Sequence, residues 1–375
     1  MKHKILVGLI ASLAATSALA QSNVTVYGLF DTAIRYTTNE VGANGTVGNQ
    51  FAMVEGAFQG PRIGFKGEED LGGGMSAVFK LENGFQSNNG AFDQQGQIFG
   101  RQAYVGLKDK SWGEIDAGRQ YGAAFDMVGN YDTIGIGNFL ENSWEDYLFG
   151  LRFDNTLKYT NTWGPISAQA QYSIGGQAAS SNIGGTTGFI LAYTEDPLSV
   201  GGMFQQSTDT NSKKMTAFDL GATYIAGPET FYLSYLNTKR DPGFAKAASN
   251  SGGALANTSI MGNAGNTLQR TDSVWTIGTK FQAQPNLAFI FGYMSDSVTN
   301  ESSLGDSGKI STAYAIADYN LSKRIDVYFD IDRTVVGGGE IGNGADTNTL
   351  MAFSGVPLGG NSTRTGVAVG LRVKF

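Results

Sequence analysis

Residues 364–375 read RTGVAVGLRVKF, and their side chains alternate in character along almost the whole stretch. Because successive side chains of a β-strand point to opposite faces, one face of this strand is mostly apolar and the other is small or cationic. The apolar face carries Thr365, Val367, Val369, Leu371, Val373 and Phe375. The opposite face carries Arg364, Gly366, Ala368, Gly370, Arg372 and Lys374. Such a strand, ending the chain on an aromatic residue, is typical of a transmembrane β-barrel and uncommon in soluble sheets.

The first twenty residues have the features of a secretory signal peptide. Residues 2–4 read KHK, residues 5–19 are largely apolar, and residues 18–20 read ALA, the small-x-small pattern of a cleavage site. The alternative is a retained membrane helix, but about 15 apolar residues are fewer than the roughly 20 that a span needs. We therefore predict that residues 1–20 are cleaved and that the protein is exported.

The removal of this segment would limit the chemistry open to the mature chain. His3 is the only histidine, and the chain has no cysteine. The mature protein would therefore lack a Ser-His-Asp triad, a cysteine nucleophile and a histidine or cysteine zinc site. We predict that it is not an enzyme and that it has no cofactor, metal or nucleic-acid partner. Without disulfides, backbone hydrogen bonds and packing must hold the fold together.

Composition narrows the fold class further. The 53 glycines are about twice the ordinary usage, and the charged fraction of 16% lies below the typical quarter. No stretch after residue 20 has the length and apolar character of a membrane helix. A soluble secreted all-β protein remains open, since the mean hydropathy is −0.15. Alternation decides between these classes, because a membrane barrel turns its apolar side chains outward and its polar ones inward.

The alternation recurs along the whole chain. In the first mature strand, Phe30 and Ile34 share one face, while Asp31 and Arg35 share the other. Further strands are predicted at residues 62–68, 75–86, 100–107, 112–120, 155–162, 165–174, 186–194, 197–207, 216–226, 229–238, 271–283, 286–295, 309–320 and 323–333. With the first and last strands the count is about sixteen, and an even number is expected of a bacterial barrel.

Connection lengths predict the orientation of the barrel. Short connections are expected on the periplasmic side and long loops on the external side. Tight connections are predicted at residues 163–165, 196–197, 227–228 and 321–323. Long polar loops are predicted at residues 38–56, 87–98, 239–270, 296–308 and 334–362. Residues 121–154 form a different kind of connection, rich in both acidic and aromatic residues. Since a solvated loop would expose too much apolar area, we predict that this segment packs inside the barrel.

Several stretches resemble a known family, the trimeric general diffusion porins of Gram-negative outer membranes, and most closely its beta-proteobacterial branch. The matching stretches are VYGLFD at residues 26–31, RIGFKGEEDL at 62–71, FKLE at 79–82, RQAYVGL at 101–107, GRQYG at 118–122 and the terminal Phe375. The resemblance implies an all-β, 16-stranded antiparallel transmembrane β-barrel over residues 21–375, with an inward-folded constriction loop at about 121–154. It also implies a homotrimer in the lipid of the outer membrane, and recognition of Phe375 by the barrel-assembly machinery.

The resemblance further implies that wall arginines face acidic loop residues across the constriction. The basic residues would be Arg62, Arg101 and Arg152. The acidic residues would be Glu82, Asp126, Asp132, Glu141, Glu145 and Asp146. The enterobacterial signature PEFGG is absent from the constriction loop, so the resemblance leaves open which loop acids face the lumen. Other lumen-facing residues would be Asp31, Arg35, Lys66, Lys80 and Lys158. Strict alternation places Arg119 on the outward face, where it could serve a subunit interface.

These features predict a channel for passive diffusion of ions and small hydrophilic solutes. Opposed fixed charges in a narrow, water-filled lumen select permeants by size and charge rather than by tight binding. Two alternatives stay open at this point. One is a substrate-specific outer-membrane channel, and the other is a secreted adhesin or structural β-protein. The sign of the ion preference does not follow from the sequence.

Overall fold

The computed structural model describes residues 23–178, 180, 183–250, 253–341 and 349–375. The predicted signal peptide, residues 1–20, therefore lies outside the described residues. Within the described part of the chain, no helix combines the length and apolar character needed to cross a bilayer.

The described residues form seventeen strands that pair in one antiparallel sheet. The strands are β1 (Asn23–Val41), β2 (Val47–Glu55), β3 (Arg62–Gly72), β4 (Met75–Gly84), β5 (Gln102–Asp109), β6 (Gly113–Tyr121), β7 (Arg152–Trp163), β8 (Ile166–Ser173), β9 (Thr186–Glu195), β10 (Leu198–Thr208), β11 (Lys214–Ala226), β12 (Glu229–Arg240), β13 (Arg270–Gln284), β14 (Leu287–Thr299), β15 (Gly308–Asn320), β16 (Ile325–Gly338) and β17 (Thr363–Lys374). Each strand pairs with the next along the chain, except that β3 follows β1 in the barrel.

The seventeen strands occupy sixteen positions around a closed barrel. On one side β1 pairs with β17, which closes the sheet. On its other side, residues 23–29 of β1 pair with β3, whereas residues 32–41 pair with β2. The strands β2 and β3 thus share one barrel position, one after the other. The prediction of a 16-stranded antiparallel barrel is confirmed.

The predicted external loop at residues 38–56 is wrong in its extent. Strand β1 continues to Val41, and β2 returns along it from Val47. The chain reverses at residues 42–46, where Gly45 has a φ of 78° and the Thr46 amide donates to Asn44 Oδ1 at 3.0 Å. Glycine and polar residues in this stretch hide the alternation in the sequence. Pairing with the end of β1, rather than a buried apolar face, forms this strand.

Alternation along the strands matches the two faces of the barrel wall. In β17, Val369 is 61% exposed, whereas Arg364 is fully buried and Arg372 is 8% exposed. In β1, Ile34 is exposed and Arg35 is buried. The apolar residues therefore point away from the barrel and the polar ones point inward. A continuous outward apolar surface of this kind requires a lipid environment.

Long and short connections alternate around the barrel. The short connections lie at residues 73–74, 110–112, 164–165, 196–197, 227–228, 285–286 and 321–324. The four longest connections lie at residues 85–101, 122–151, 241–269 and 339–362. Because neighbouring strands run antiparallel, all short connections lie at one end of the barrel and all long ones at the other. The tight turns predicted from the sequence are confirmed.

The terminal residue takes part in the closure of the barrel. Gly28 and Phe375 exchange two backbone hydrogen bonds of 3.0 Å, across the seam between β1 and β17. A Cβ atom on Gly28 would lie 2.5 Å from Phe375 Cζ. Glycine at position 28 thus lets the terminal ring lie against β1.

Candidate functional site

The connection between β6 and β7, residues 122–151, folds into the barrel and is called the constriction loop below. It contains α1 (Ala123–Tyr131), a 3-10 turn (Leu140–Asn142) and α2 (Asp146–Phe149). Helix α1 packs against the inner face of β9, β10, β11 and β12. The apolar side chains Met127, Tyr131, Trp144, Leu148 and Phe149 are almost completely buried. This packing confirms the prediction of an inward-folded loop. Burial against the wall removes the apolar area of its aromatic side chains from water, which stabilises the loop in this position.

The barrel wall is shaped to receive the loop. Gly201 on β10 and Gly221 on β11 lie beneath the ring of Tyr131, and a Cβ atom on Gly221 would lie 2.3 Å from Tyr131 Cγ. Gln205 joins both ends of the loop, since its Oε1 accepts from the Ala124 amide at 3.1 Å and its Nε2 donates to the Phe149 carbonyl at 2.9 Å. The loop is thus a fixed part of the lumen.

The three predicted wall arginines come together around Tyr121 and Glu82. Arg101 donates to Glu82 Oε1 at 2.9 Å and to the Tyr121 hydroxyl at 2.7 Å. Arg152 donates to the same hydroxyl at 3.1 Å, and Arg62 lies 4.0 Å from Glu82. We call Arg62, Arg101 and Arg152 the arginine cluster. Within the described residues, Glu82 is the only acidic side chain that pairs with Arg62 or Arg101.

The arginine cluster and the constriction loop line a common cavity of about 410 Å³. Its charged lining residues are Arg62, Asp93, Arg101, Arg119, Asp146 and Arg152. Four residues with guanidinium groups and two with carboxyl groups therefore line one cavity. An unpaired or incompletely paired cation in such a space attracts anions, by about 4 kcal/mol at 4 Å for an effective dielectric constant of 20.

A second cavity of about 540 Å³ adjoins the first and has the opposite charge. The two cavities share the lining residues Asp93, Gln94, Asn138, Leu140 and Tyr147. The charged residues of the second cavity are Arg35, Glu40, Glu55, Asp93 and Glu141. Register places it closer to the long loops, because Glu55 pairs with Thr32 of β1, whereas Arg62 pairs with Leu29.

Only one of the predicted loop acids reaches the cavity of the arginine cluster, namely Asp146. Asp126 pairs with Lys158 at 2.7 Å, and Glu141 pairs with Arg35 at 3.2 Å and with Arg364 at 3.4 Å. The expectation that the loop acids face the arginines as a group therefore does not match their positions. The acids follow the direction in which the loop packs, and an irregular loop has no sequence period that reveals this direction.

Two further loop acids lie between the loop and the wall. Asp132 accepts hydrogen bonds from the amides of Ile134 and Ile136 and from the Tyr314 hydroxyl. Glu145 is 2% exposed. Burial raises the pKa of Asp132 and raises the pKa of Glu145 well above its ordinary range. Burial also raises the pKa of Asp146, although the nearby Arg152 opposes this effect.

The other predicted lumen-facing residues lie on inner faces of the wall. Asp31 accepts from the Tyr328 hydroxyl at 2.8 Å, and Arg35 donates to Asp332 at 2.7 Å. Lys80 lies 3.7 Å from Glu82, which places Glu82 among the wall cations rather than opposite them. Lys66 shares the inner face of β3 with Arg62. The roles of all these residues in permeation stay predictions.

The structure corrects the expectation for Arg119 and adds Tyr121 to the site. Arg119 is buried and donates to Asp154 at 2.6 Å and to the Asn257 carbonyl at 3.0 Å, so it does not lie on the outward face. The β6–β7 pairing shifts register between Gly118 and Gln120, which breaks the strict alternation. Tyr121 was not identified as a site residue, although the stretch GRQYG places it directly before the constriction loop.

Comparisons with known proteins agree with this architecture. The family described as Gram-negative porin matches residues 8–338. An outer membrane porin of Bordetella pertussis is 33% identical over 273 residues, which is 64% of this chain and 70% of that protein. An outer membrane porin of Delftia acidovorans is 29% identical over 259 residues, 64% of this chain and 71% of that protein.

Solved structures show the same fold. An anion-selective porin from Comamonas acidovorans superposes with a TM-score of 0.72 at 22% identity, over 95% of this chain and 100% of that one. A trimer form of OmpT from Vibrio cholerae gives a TM-score of 0.61 at 13% identity, over 94% of this chain and 99% of that one. The matched residues and the closed barrel with its inward loop lead to one conclusion: this chain belongs to the Gram-negative porin family.

Proposed function

We propose that the chain forms a channel for passive diffusion of ions and small hydrophilic solutes, and that the arginine cluster gives it a preference for anions. The observation that carries this proposal is the excess of guanidinium groups in the narrow cavity between wall and loop. Arg152 forms no ion pair within the described residues, and Glu82 compensates only part of the charge of Arg62 and Arg101. The similar porin from Comamonas acidovorans is described as anion-selective.

Single substitutions in the arginine cluster test this proposal. In planar bilayers with asymmetric KCl, Arg62→Ala and Arg101→Ala are each expected to shift the reversal potential toward cation preference, because each removes a positive charge from the cavity. Arg324→Ala is the matched control, since Arg324 is exposed in a short connection at the other end of the barrel. An unchanged reversal potential in both cluster variants would show that Arg62 and Arg101 do not determine the ion selectivity.

A substrate-specific channel is the second candidate. The two adjoining cavities of opposite charge favour it, because one solute with an acidic and a basic end could contact both. Saturable block of the ion current by a single solute would support this candidate, whereas a general diffusion channel would pass many solutes without saturation. The closed barrel and the family give no support to the third alternative, a secreted adhesin.

We also propose that the mature protein starts at Gln21 and assembles as a homotrimer in the outer membrane. The trimer form of the similar Vibrio cholerae protein supports the oligomer, and the ALA triplet at residues 18–20 supports the cleavage site. Phe375 would be the residue that the barrel-assembly machinery recognises. Amino-terminal sequencing and the mass of the unheated complex in detergent test the first two points, and deletion of Phe375 tests the third through the yield of folded protein.

A further inference from the structure

We propose that Tyr121 is a positioning residue that keeps the arginine cluster from capturing the anions it attracts. This inference rests on the proposed anion preference and adds a second requirement to it. A channel that attracts an ion must also release it quickly, so binding within the pore has to stay weak. The hydroxyl of Tyr121 meets this requirement by occupying donors that a permeating oxyanion would otherwise bind.

The hydroxyl oxygen of Tyr121 lies where two guanidinium groups converge. Nη2 of Arg101 and Nη2 of Arg152 both donate to it, at 2.7 Å and 3.1 Å. The other side-chain hydrogen bond of Arg101 within the described residues runs from its Nε to Glu82. The side-on edge of Arg101, formed by Nε and Nη2, is therefore filled by protein acceptors.

The side-on edge of Arg152 is filled only in part. Its Nη2 donates to Tyr121, whereas its Nε is buried and has no hydrogen-bond partner among the described residues. Arg152 itself is 6% exposed and lines the cavity. Parallel donation from two nitrogens of one guanidinium group is the geometry that binds carboxylates and phosphates most strongly. Tyr121 thus leaves Arg152 with a single donor on this edge, which prevents bidentate binding of an oxyanion at this edge.

The ring of Tyr121 is held so that its hydroxyl stays in place. It stacks on Phe125 of the constriction loop, with ring centroids 4.3 Å apart and planes 8° apart. On the ring face, the guanidinium carbon of Arg152 lies 4.6 Å from the centroid. Because the ring contacts do not involve the hydroxyl, a phenylalanine at this position would keep them and lose only the acceptor.

Tyr121→Phe tests the inference with inorganic phosphate as the probe. We expect phosphate added to a KCl solution to reduce the single-channel current of the variant at a concentration at least about tenfold lower than in the unsubstituted channel. A change of this size corresponds to one additional charge-assisted hydrogen bond. The double variant Tyr121→Phe with Arg152→Lys is expected to lose this sensitivity, because lysine has no side-on pair of donors.

Tyr147→Phe is the matched control, since Tyr147 lines the same cavity and its hydroxyl forms no hydrogen bond to an arginine in the described part of the chain. Its phosphate block should equal that of the unsubstituted channel. Equal block in the Tyr121→Phe channel would overturn the inference, and Tyr121→Leu provides the same test if the phenylalanine variant does not fold. The reversal potential in KCl separates this inference from the proposed function. Tyr121→Phe removes no charged side chain, so we expect it to leave the reversal potential unchanged. A cation-selective unsubstituted channel would contradict the proposed function itself.

Discussion

Replacement of Trp144 by alanine is expected to detach part of the constriction loop from the barrel wall and to increase the single-channel conductance. Trp144 is fully buried, and its indole Nε1 donates to Thr312 Oγ1 on β15 at 3.1 Å. Thr312 in turn shares a hydrogen bond with Thr334 on β16. Truncation of a buried tryptophan to alanine costs about 3–5 kcal/mol, because the apolar contacts are lost and a cavity remains.

The measurement is the conductance and its fluctuation in planar bilayers, together with the thermal unfolding temperature in detergent. Trp144→Phe should give an intermediate result, since it keeps much of the buried area and loses the hydrogen bond. The matched control is Trp163→Ala, because Trp163 is 51% exposed and lies at the end of β7 next to a short connection. If Trp144→Ala and Trp163→Ala have the same conductance and unfolding temperature, the buried indole does not hold the loop.

The barrel was predictable because its physical requirement is local and periodic. A wall residue must suit either lipid or the interior, so the sequence of a strand alternates between residues of the two faces. In the hairpin of β1 and β2, the second strand lacks this clear alternation. This strand places Glu55 beside the acidic cavity, a contribution that the interpretation of residues 38–56 as a loop could not include. The prediction failed where backbone pairing alone forms the strand.

The candidate site was predictable only on its wall side. Arg62 and Arg101 lie at the starts of strand segments, and the strand order brings them near Arg152. The constriction loop has no comparable period, so the directions of Glu141, Glu145 and their neighbours depend on how its aromatic side chains pack. The role of Tyr121 depends in addition on two guanidinium groups that meet only in the folded barrel.

We expect the acids between the loop and the wall to make the stability of the folded loop dependent on pH. Glu145 faces the carboxyl groups of Asp132, Asp146, Asp219 and Asp296. Both carboxylate oxygens of Asp219 are buried without a hydrogen-bond partner among the described residues. Burial and the neighbouring carboxyl groups raise the pKa of Glu145 well above its ordinary value of 4.5. The folded state therefore holds the proton more tightly than the unfolded state does.

The sign of the pH effect follows from this difference. A carboxyl group with a raised pKa contributes its full stabilisation below about pH 4.5, and the contribution is lost as the pH rises through the folded-state pKa. Each unit of difference in pKa corresponds to about 1.4 kcal/mol. The thermal unfolding temperature is therefore expected to fall as the pH rises above the ordinary range of carboxyl groups. Glu145→Gln removes one ionisable group from the cluster, and we expect its unfolding temperature to decrease less over the same pH range.

Unfolding scans in detergent from acidic to alkaline pH measure this difference, and parallel bilayer recordings show whether the loop becomes noisier as the pH rises. Glu69→Gln is the matched control. Glu69 is exposed near a short connection, so this substitution removes the same charge outside the loop. Glutamine at position 145 keeps the shape and hydrogen-bonding capacity of a neutral glutamic acid, so the two proteins should be similar at low pH and diverge only as the pH rises. Parallel pH curves for the Glu145→Gln and unsubstituted proteins would show that the ionisation of Glu145 does not contribute to the pH dependence of stability.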